Sequence, residues 1–220
     1  MIENKIGVVI PTRGDRNIFL KKCLSMMDEQ TLKPDVYCIV DEHPKSNEKD
    51  ITFRYKKGFK ELFEQGCEVV FLIEDDDFYC ENYIKTMFSK WMELNKPEIL
   101  GIGNTIYYHL QRKQYTEMIH PTRSSAFSTM VTNAVLNIKW PEDNYPFLDL
   151  ELWKQLNGKT FIPSVPICLG MKHGVGICGG SGHNQNFNYK NEDSDSSYLK
   201  KITGNRFKYY KKIFHPIGLN

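Results

Sequence analysis

At 220 residues, with 40% hydrophobic and 25% charged side chains, the chain can bury one sizeable core and is too apolar to be disordered. A net charge of +2 exerts no general pull toward polyanions, so a nucleic-acid or membrane partner has to be sought in local charge. No apolar run is long enough to span a bilayer, and MIENKIGVVIP enters a strand-like run without a leader layout. The expectation is a cytoplasmic protein, at most peripheral at the inner membrane surface. Six cysteines (Cys23, Cys38, Cys67, Cys80, Cys168, Cys178) lack any CxxC spacing and several sit in apolar runs, which suits reduced, buried thiols.

Ile6 to Ile10 (IGVVI) reads as a buried strand, and apolar residues at helical spacing predict a helix over 17–30. VYCIV (36–40) is a second strand, ending in Asp41-Glu42, and a polar loop follows over 43–50. A helix is expected from Arg54 to Gln65, stopped by Gly66. Val69 to Ile73 makes a third strand that ends abruptly in Glu74-Asp75-Asp76-Asp77, and Asn82 to Leu94 a third helix. This βαβαβα order argues for a doubly wound, mostly parallel sheet, in which ligands bind beyond the carboxyl ends of the strands. Pro11-Thr12-Arg13, Asp41-Glu42 and the four acids all fall on that edge.

The second half is less regular. One strand is expected over 99–108, others over 115–119 and 160–165, and a short helix over 150–156, while 126–140 shows no clean period. Six glycines within Gly170–Gly182 predict a loop there rather than a helix or strand. From Lys200 to Asn220 there are six Lys/Arg and no acid.

The four acids have two readings. Acidic residues favour a first helical turn; equally, hard carboxylate oxygens at a ligand edge suit Mg²⁺ or Mn²⁺ together with substrate phosphates. Asp149 can open the helix that follows it, or serve as a base. His173 is a surface histidine or a ligand. Cys168, His173, Cys178 and His183 recur every five residues, a spacing that tetrahedral zinc also tolerates. The tail is a packed amphipathic helix, a contact for an anionic membrane surface through 200–214 (Lys200 to Phe214), or a nucleic-acid contact.

Val8-Val9-Ile10-Pro11-Thr12-Arg13, Cys38-Ile39-Val40-Asp41 and Phe71-Leu72-Ile73-Glu74-Asp75-Asp76-Asp77, in this order and spacing, resemble glycosyltransferase family 2 with its GT-A fold. The resemblance covers about residues 5–175. It implies an α/β catalytic domain over 1–183, with a nucleotide-sugar half (about 1–108) and a smaller acceptor-side β region (about 109–183). Residues 184–220 then form a polar linker and basic aromatic tail.

It further implies a nucleotide-sugar donor, UDP-linked, bound with Mn²⁺ or Mg²⁺. Pro11, Thr12 and Arg13 would line the nucleotide pocket, Asp41 would accept from the uracil ring, and Arg54, Asp75, Asp76 and Lys172 complete the donor set. Asp75, Asp77 and His173 would hold the metal; a register one residue along stresses Asp76 and Asp77 instead. The proline usual after the acids is Glu81 here.

Phe147-Leu148-Asp149-Leu150-Glu151-Leu152-Trp153 resembles the family segment that carries the general base of inverting members. Asp149 is the expected base and Glu151 its alternative, although the family's first acid is replaced by Leu148. The implied acceptor is a surface glycan or lipid-linked sugar, or the hydroxylated bases of DNA. The rival classes are a sugar-phosphate nucleotidylyltransferase and a non-catalytic nucleotide-sugar binding module.

Overall fold

The computed structural model describes residues 4–12, 17–42, 49–173 and 188–213. The first half alternates strand and helix: β1 (Ile6–Pro11), α1 (Asn17–Asp28), β2 (Val36–Val40), α2 (Ile51–Glu64) and β3 (Val69–Leu72). After the acids come a short strand β4 (Phe78–Tyr79) and α3 (Tyr83–Glu93). The second half contributes β5 (Ile99–Ile102), β6 (Asn104–His109), β7 (Gln114–Ile119), β8 (Thr129–Thr132), α4 (Leu148–Gln155), β9 (Gly158–Phe161) and β10 (Cys168–Lys172). The described chain closes with β11 (Asn191–Glu192), α5 (Ser197–Thr203) and α6 (Phe207–Ile213).

A six-stranded sheet runs β2-β1-β3-β8-β5-β9. Both neighbours of β1 are parallel to it, β5 and β9 are parallel, and β8 alone runs against its two neighbours. The protein is thus a mixed α/β fold with a mostly parallel sheet. Strand periodicity explains its two covers. Ile6, Val8 and Ile10 of β1, with Val69 and Phe71 of β3, pack against α1 and α3. Val9, Val70 and Leu72 face the other way, onto Tyr55, Phe59 and Leu62 of α2 and Leu152 of α4. Gly58 permits the close approach of α2, since a Cβ there would meet Val9 Cγ2 at 2.3 Å.

A second sheet, β11-β7-β6-β10-β4, stands against the first. Two expectations are corrected here. The single strand expected over 99–108 is two, β5 and β6, in different sheets. The chain turns at Gly103, whose amide bonds Phe161 and whose carbonyl accepts from His120. The first piece is wholly buried and the second mostly so, and they follow each other with only Gly103 between, so periodicity carried no mark of the break. The loop expected from Gly170 is a strand at its start, because Cys168–Lys172 is wholly buried and paired with β6 and β4; residues 174–182 of that expected loop lie outside the described residues. Its glycine is a packing residue: a Cβ on Gly170 would meet Tyr107 Cδ1 at 2.5 Å.

The basic segment packs on the body. Leu199 and Tyr210 are buried in the core, and Arg206 bonds the carbonyl of Tyr79 and the carboxylate of Glu29. Among the described residues no helix is long and apolar enough to cross a membrane.

Candidate active site

Because β2, β1 and β3 are parallel neighbours, their carboxyl ends share one edge of the sheet. An open cleft of about 270 Å³ lies there, lined by Pro11, Thr12, Arg54, Tyr55, Glu74, Asp75 and Asp76 on the strand-end side. The facing side is Tyr107, Ser125, Phe127, Asp149 and Lys172.

Arg54 organises the strand-end side. Its guanidinium donates to the carbonyls of Thr12 and Val40 (2.8 Å for the latter), to the carbonyl of Glu42 at 2.6 Å and to Asp50 Oδ2 at 2.8 Å. One buried cation so ties the ends of β1 and β2 to the start of α2. Its planar fork suits several acceptors at once. The side chain expected to bind donor thus lines the cleft while its two terminal nitrogens donate to three carbonyls and one carboxylate.

The acids lie in the turn between β3 and β4. Here Asp75, Asp76 and Asp77 are all buried. Carboxylate oxygens of Glu74, Asp76 and Asp77 come within 4.8 Å of one another. Asp77 Oδ1 accepts from the Met171 amide at 2.7 Å, whereas Oδ2 is buried with no hydrogen-bond partner among the described residues. Burial, then the charges of Glu74 and Asp76, hold the Asp77 carboxyl well above the usual carboxylate range, against the pull of Lys172 and the Met171 amide. His173 is fully buried, stacks on Phe19 at 4.2 Å and places Nε2 2.9 Å from Asp76 Oδ2. It is no surface histidine.

Lys172 bridges the two sides. Burial alone would lower its pKa, but the charges of Asp77 and Glu74 outweigh that and hold the ammonium above its ordinary value. Its Nζ sits 5.1 Å over the Tyr107 ring. The Tyr107 hydroxyl lies 2.8 Å from Ser125 Oγ, which also contacts Thr105 Oγ1 at 3.2 Å. The Ser125 carbonyl accepts from Thr129 Oγ1 at 2.8 Å and Ser128 Oγ at 3.2 Å, so this hydroxyl is rigidly held.

Asp149 lies in the first turn of α4 and lines the cleft; the N-cap position is Phe147, not Asp149. Burial raises its carboxyl above the ordinary value, opposed by the Leu150 amide and by Arg123. Glu151 is not in the cleft lining, and its carboxylate lies 3.9 Å from Lys154.

Of the other expected site residues, Pro11 and Thr12 line the cleft, with Thr12 Oγ1 buried and lacking a partner among the described residues. Asp41 is exposed at the end of β2, outside the cleft lining. Asp75 lines the cleft, but the acids close enough to share an ion are Glu74, Asp76 and Asp77. Arg13, Cys178 and His183 lie outside the described residues. The cleft also contains Tyr55, Tyr107 and Ser125, which sequence reasoning missed. Tyr55 sits within a plain helical stripe, and the other two in the half without clean periodicity.

The fold is one shared with a GT-A family 2 glycosyltransferase. That protein is S. aureus TarS. The chain matches its structure of residues 1–349 in complex with UDP-GlcNAc at a TM-score of 0.55 and 10% identity, over 76% of this chain and 58% of that one. The corresponding complex with UDP matches at 0.51 and 10%, over 76% and 60%. A further TarS structure matches at 0.53 and 11%, over 77% and 37%. The chain therefore spans less than two thirds of the TarS chains it matches, and at such identity the likeness is one of fold. No protein-family model and no curated protein sequence matches the chain.

Proposed function

We propose that this protein is a glycosyltransferase that takes a sugar from a nucleoside diphosphate sugar, UDP-linked, and passes it to an acceptor hydroxyl. One observation carries the reading: the cleft at the strand ends is lined by Glu74, Asp75, Asp76, Lys172 and a desolvated aspartate, Asp149, and the buried Asp77 brings its carboxylate within 4.8 Å of those of Glu74 and Asp76. The fold shared with TarS, a protein crystallised with UDP and UDP-GlcNAc, supports it. About 1–108 then form the donor half and 109–183 the acceptor half.

The residues present fit a divalent cation. The donor set is all hard oxygen, the carboxylates are close, and Asp77 Oδ2 is buried without a partner among the described residues. Glu74, Asp76 and Asp77 would hold Mn²⁺ or Mg²⁺, with His173 fixing Asp76 from behind. Bound there, the ion would offset their mutual repulsion and screen the donor's diphosphate.

The chain's own groups supply the rest. Asp149 accepts the acceptor hydroxyl's proton as that oxygen bonds the anomeric carbon and the sugar–diphosphate bond breaks. Its raised proton affinity makes it the stronger base. Attack from the face opposite the leaving group inverts the anomeric centre. Lys172, fixed over Tyr107, counters negative charge on the departing diphosphate. The acceptor is a surface glycan or lipid-linked sugar. A panel of nucleotide-sugars assayed for hydrolysis and transfer, with Mn²⁺ and with chelator, tests the reading. Metal-dependent turnover of a UDP-sugar is expected; no turnover of any donor under either condition overturns it.

A further inference from the structure

The residues 197–213 of α5 and α6 carry no acid, and the structure sorts their bases from their aromatics. The aromatics turn inward. Tyr210 is buried with its hydroxyl 3.5 Å from the Asp77 carbonyl, and Phe207 packs on the core. Tyr209 donates to the Ile18 carbonyl of α1 at 3.3 Å and lies under Lys22 Nζ at 5.6 Å. Arg206 is spent on Tyr79 and Glu29. What remains outside is a stripe of lysines. Lys208, Lys211 and Lys212, spaced i, i+3 and i+4, are all exposed on one side of α6.

The neighbouring start of α1 adds exposed Lys21 and Ile18, an isoleucine 61% exposed. So α1 and α6 together present a lysine face with an apolar tip. Only a few residues separate α1 from the end of β1, so Ile18 lies at the cleft edge of the sheet, and α6 backs the turn that carries the acids.

We infer that this face docks on an anionic phospholipid surface. Lysines without arginine forks attract phosphate as point charges, and an exposed isoleucine among them suits the headgroup boundary. A nucleic-acid surface would instead offer aromatics for stacking, and here those rings are packed inward. Docking sets the cleft beside the bilayer. The inference rests on surface charge and does not depend on the reaction assigned to the cleft.

The test is co-sedimentation of the intact protein with vesicles of phosphatidylglycerol and phosphatidylcholine, against vesicles of phosphatidylcholine alone. Binding only to the anionic vesicles, weakening as salt rises, is expected. The combined substitution Lys208→Glu, Lys211→Glu and Lys212→Glu should weaken binding by roughly a hundredfold with an unchanged melting temperature. Ile18→Ser should weaken it only a few-fold and leave its salt dependence in place. Equal binding to both vesicle types, or undiminished binding of the triple variant, overturns the inference. Tighter binding to single-stranded or duplex DNA than to anionic vesicles at the same salt also overturns it, assigning the face to nucleic acid.

Discussion

At the strand-end wall of the cleft, Glu74 and Asp76 of the lining bring carboxylate oxygens within 4.8 Å of the buried Asp77, one oxygen of which has no hydrogen-bond partner among the described residues. On the facing wall, Ser125 holds its hydroxyl between Thr105 and Tyr107 while its carbonyl accepts from Ser128 and Thr129. The first wall is an electrostatic debt that a cation can cancel. The Ser125 network is internally satisfied, a rigid floor beside the desolvated carboxylate of Asp149. Crowded carboxylates that one lysine only partly offsets mark where a cation belongs; buried polarity already compensated marks what holds the ligand's surroundings still.

The sharpest way to break this contrast is to remove the charge from each wall in turn. Asp149→Asn should cut transfer by about 10² to 10⁴ while leaving donor binding intact, measured by steady-state kinetics beside calorimetry. The raised carboxyl of Asp149 also places the acidic limb of the wild-type rate profile above the ordinary aspartate value of about 3.9. Arg54→Met should cost about 3–5 kcal/mol in urea unfolding, because several buried oxygens lose their common donor.

Asp77→Asn should do the reverse. The folded state keeps the Asp77 proton to higher pH than the unfolded chain does, so without metal the wild type loses stability as pH climbs from about 4 through the raised folded value. The asparagine variant should flatten that decline and melt roughly a few degrees higher at neutral pH, yet gain nothing from Mn²⁺. The smallest effect belongs to the Ser125 network. Ser125→Ala should cost about 1 kcal/mol of stability, with metal-dependent donor binding retained.

How far each wall was legible in the sequence follows the same division. β1, β2, β3 and the helices between them announce themselves because each strand is a short apolar run, and the acids stand out as charge against it. That they share an edge followed from the βαβ order alone. Which acids converge did not, since the β3–β4 turn decides that Glu74, Asp76 and Asp77 meet while Asp75 does not join them. His173 looked like a loop residue because its glycine-rich neighbours hid β10, whose Gly170 serves Tyr107 rather than a turn. Tyr107 and Ser125 had no mark at all. Their place depends on the break at Gly103 and on pairing between strands far apart in the chain, neither of which a local period records.

The central claim is that the acid turn recruits a cation and, through it, a nucleotide diphosphate. Isothermal titration of UDP into wild type and Asp77→Asn, each with Mn²⁺ and with chelator, tests this most directly. The account predicts binding by wild type in Mn²⁺ that is lost in chelator and lost in the variant. Equal UDP affinity with and without metal, or an unaltered affinity in Asp77→Asn, would contradict it.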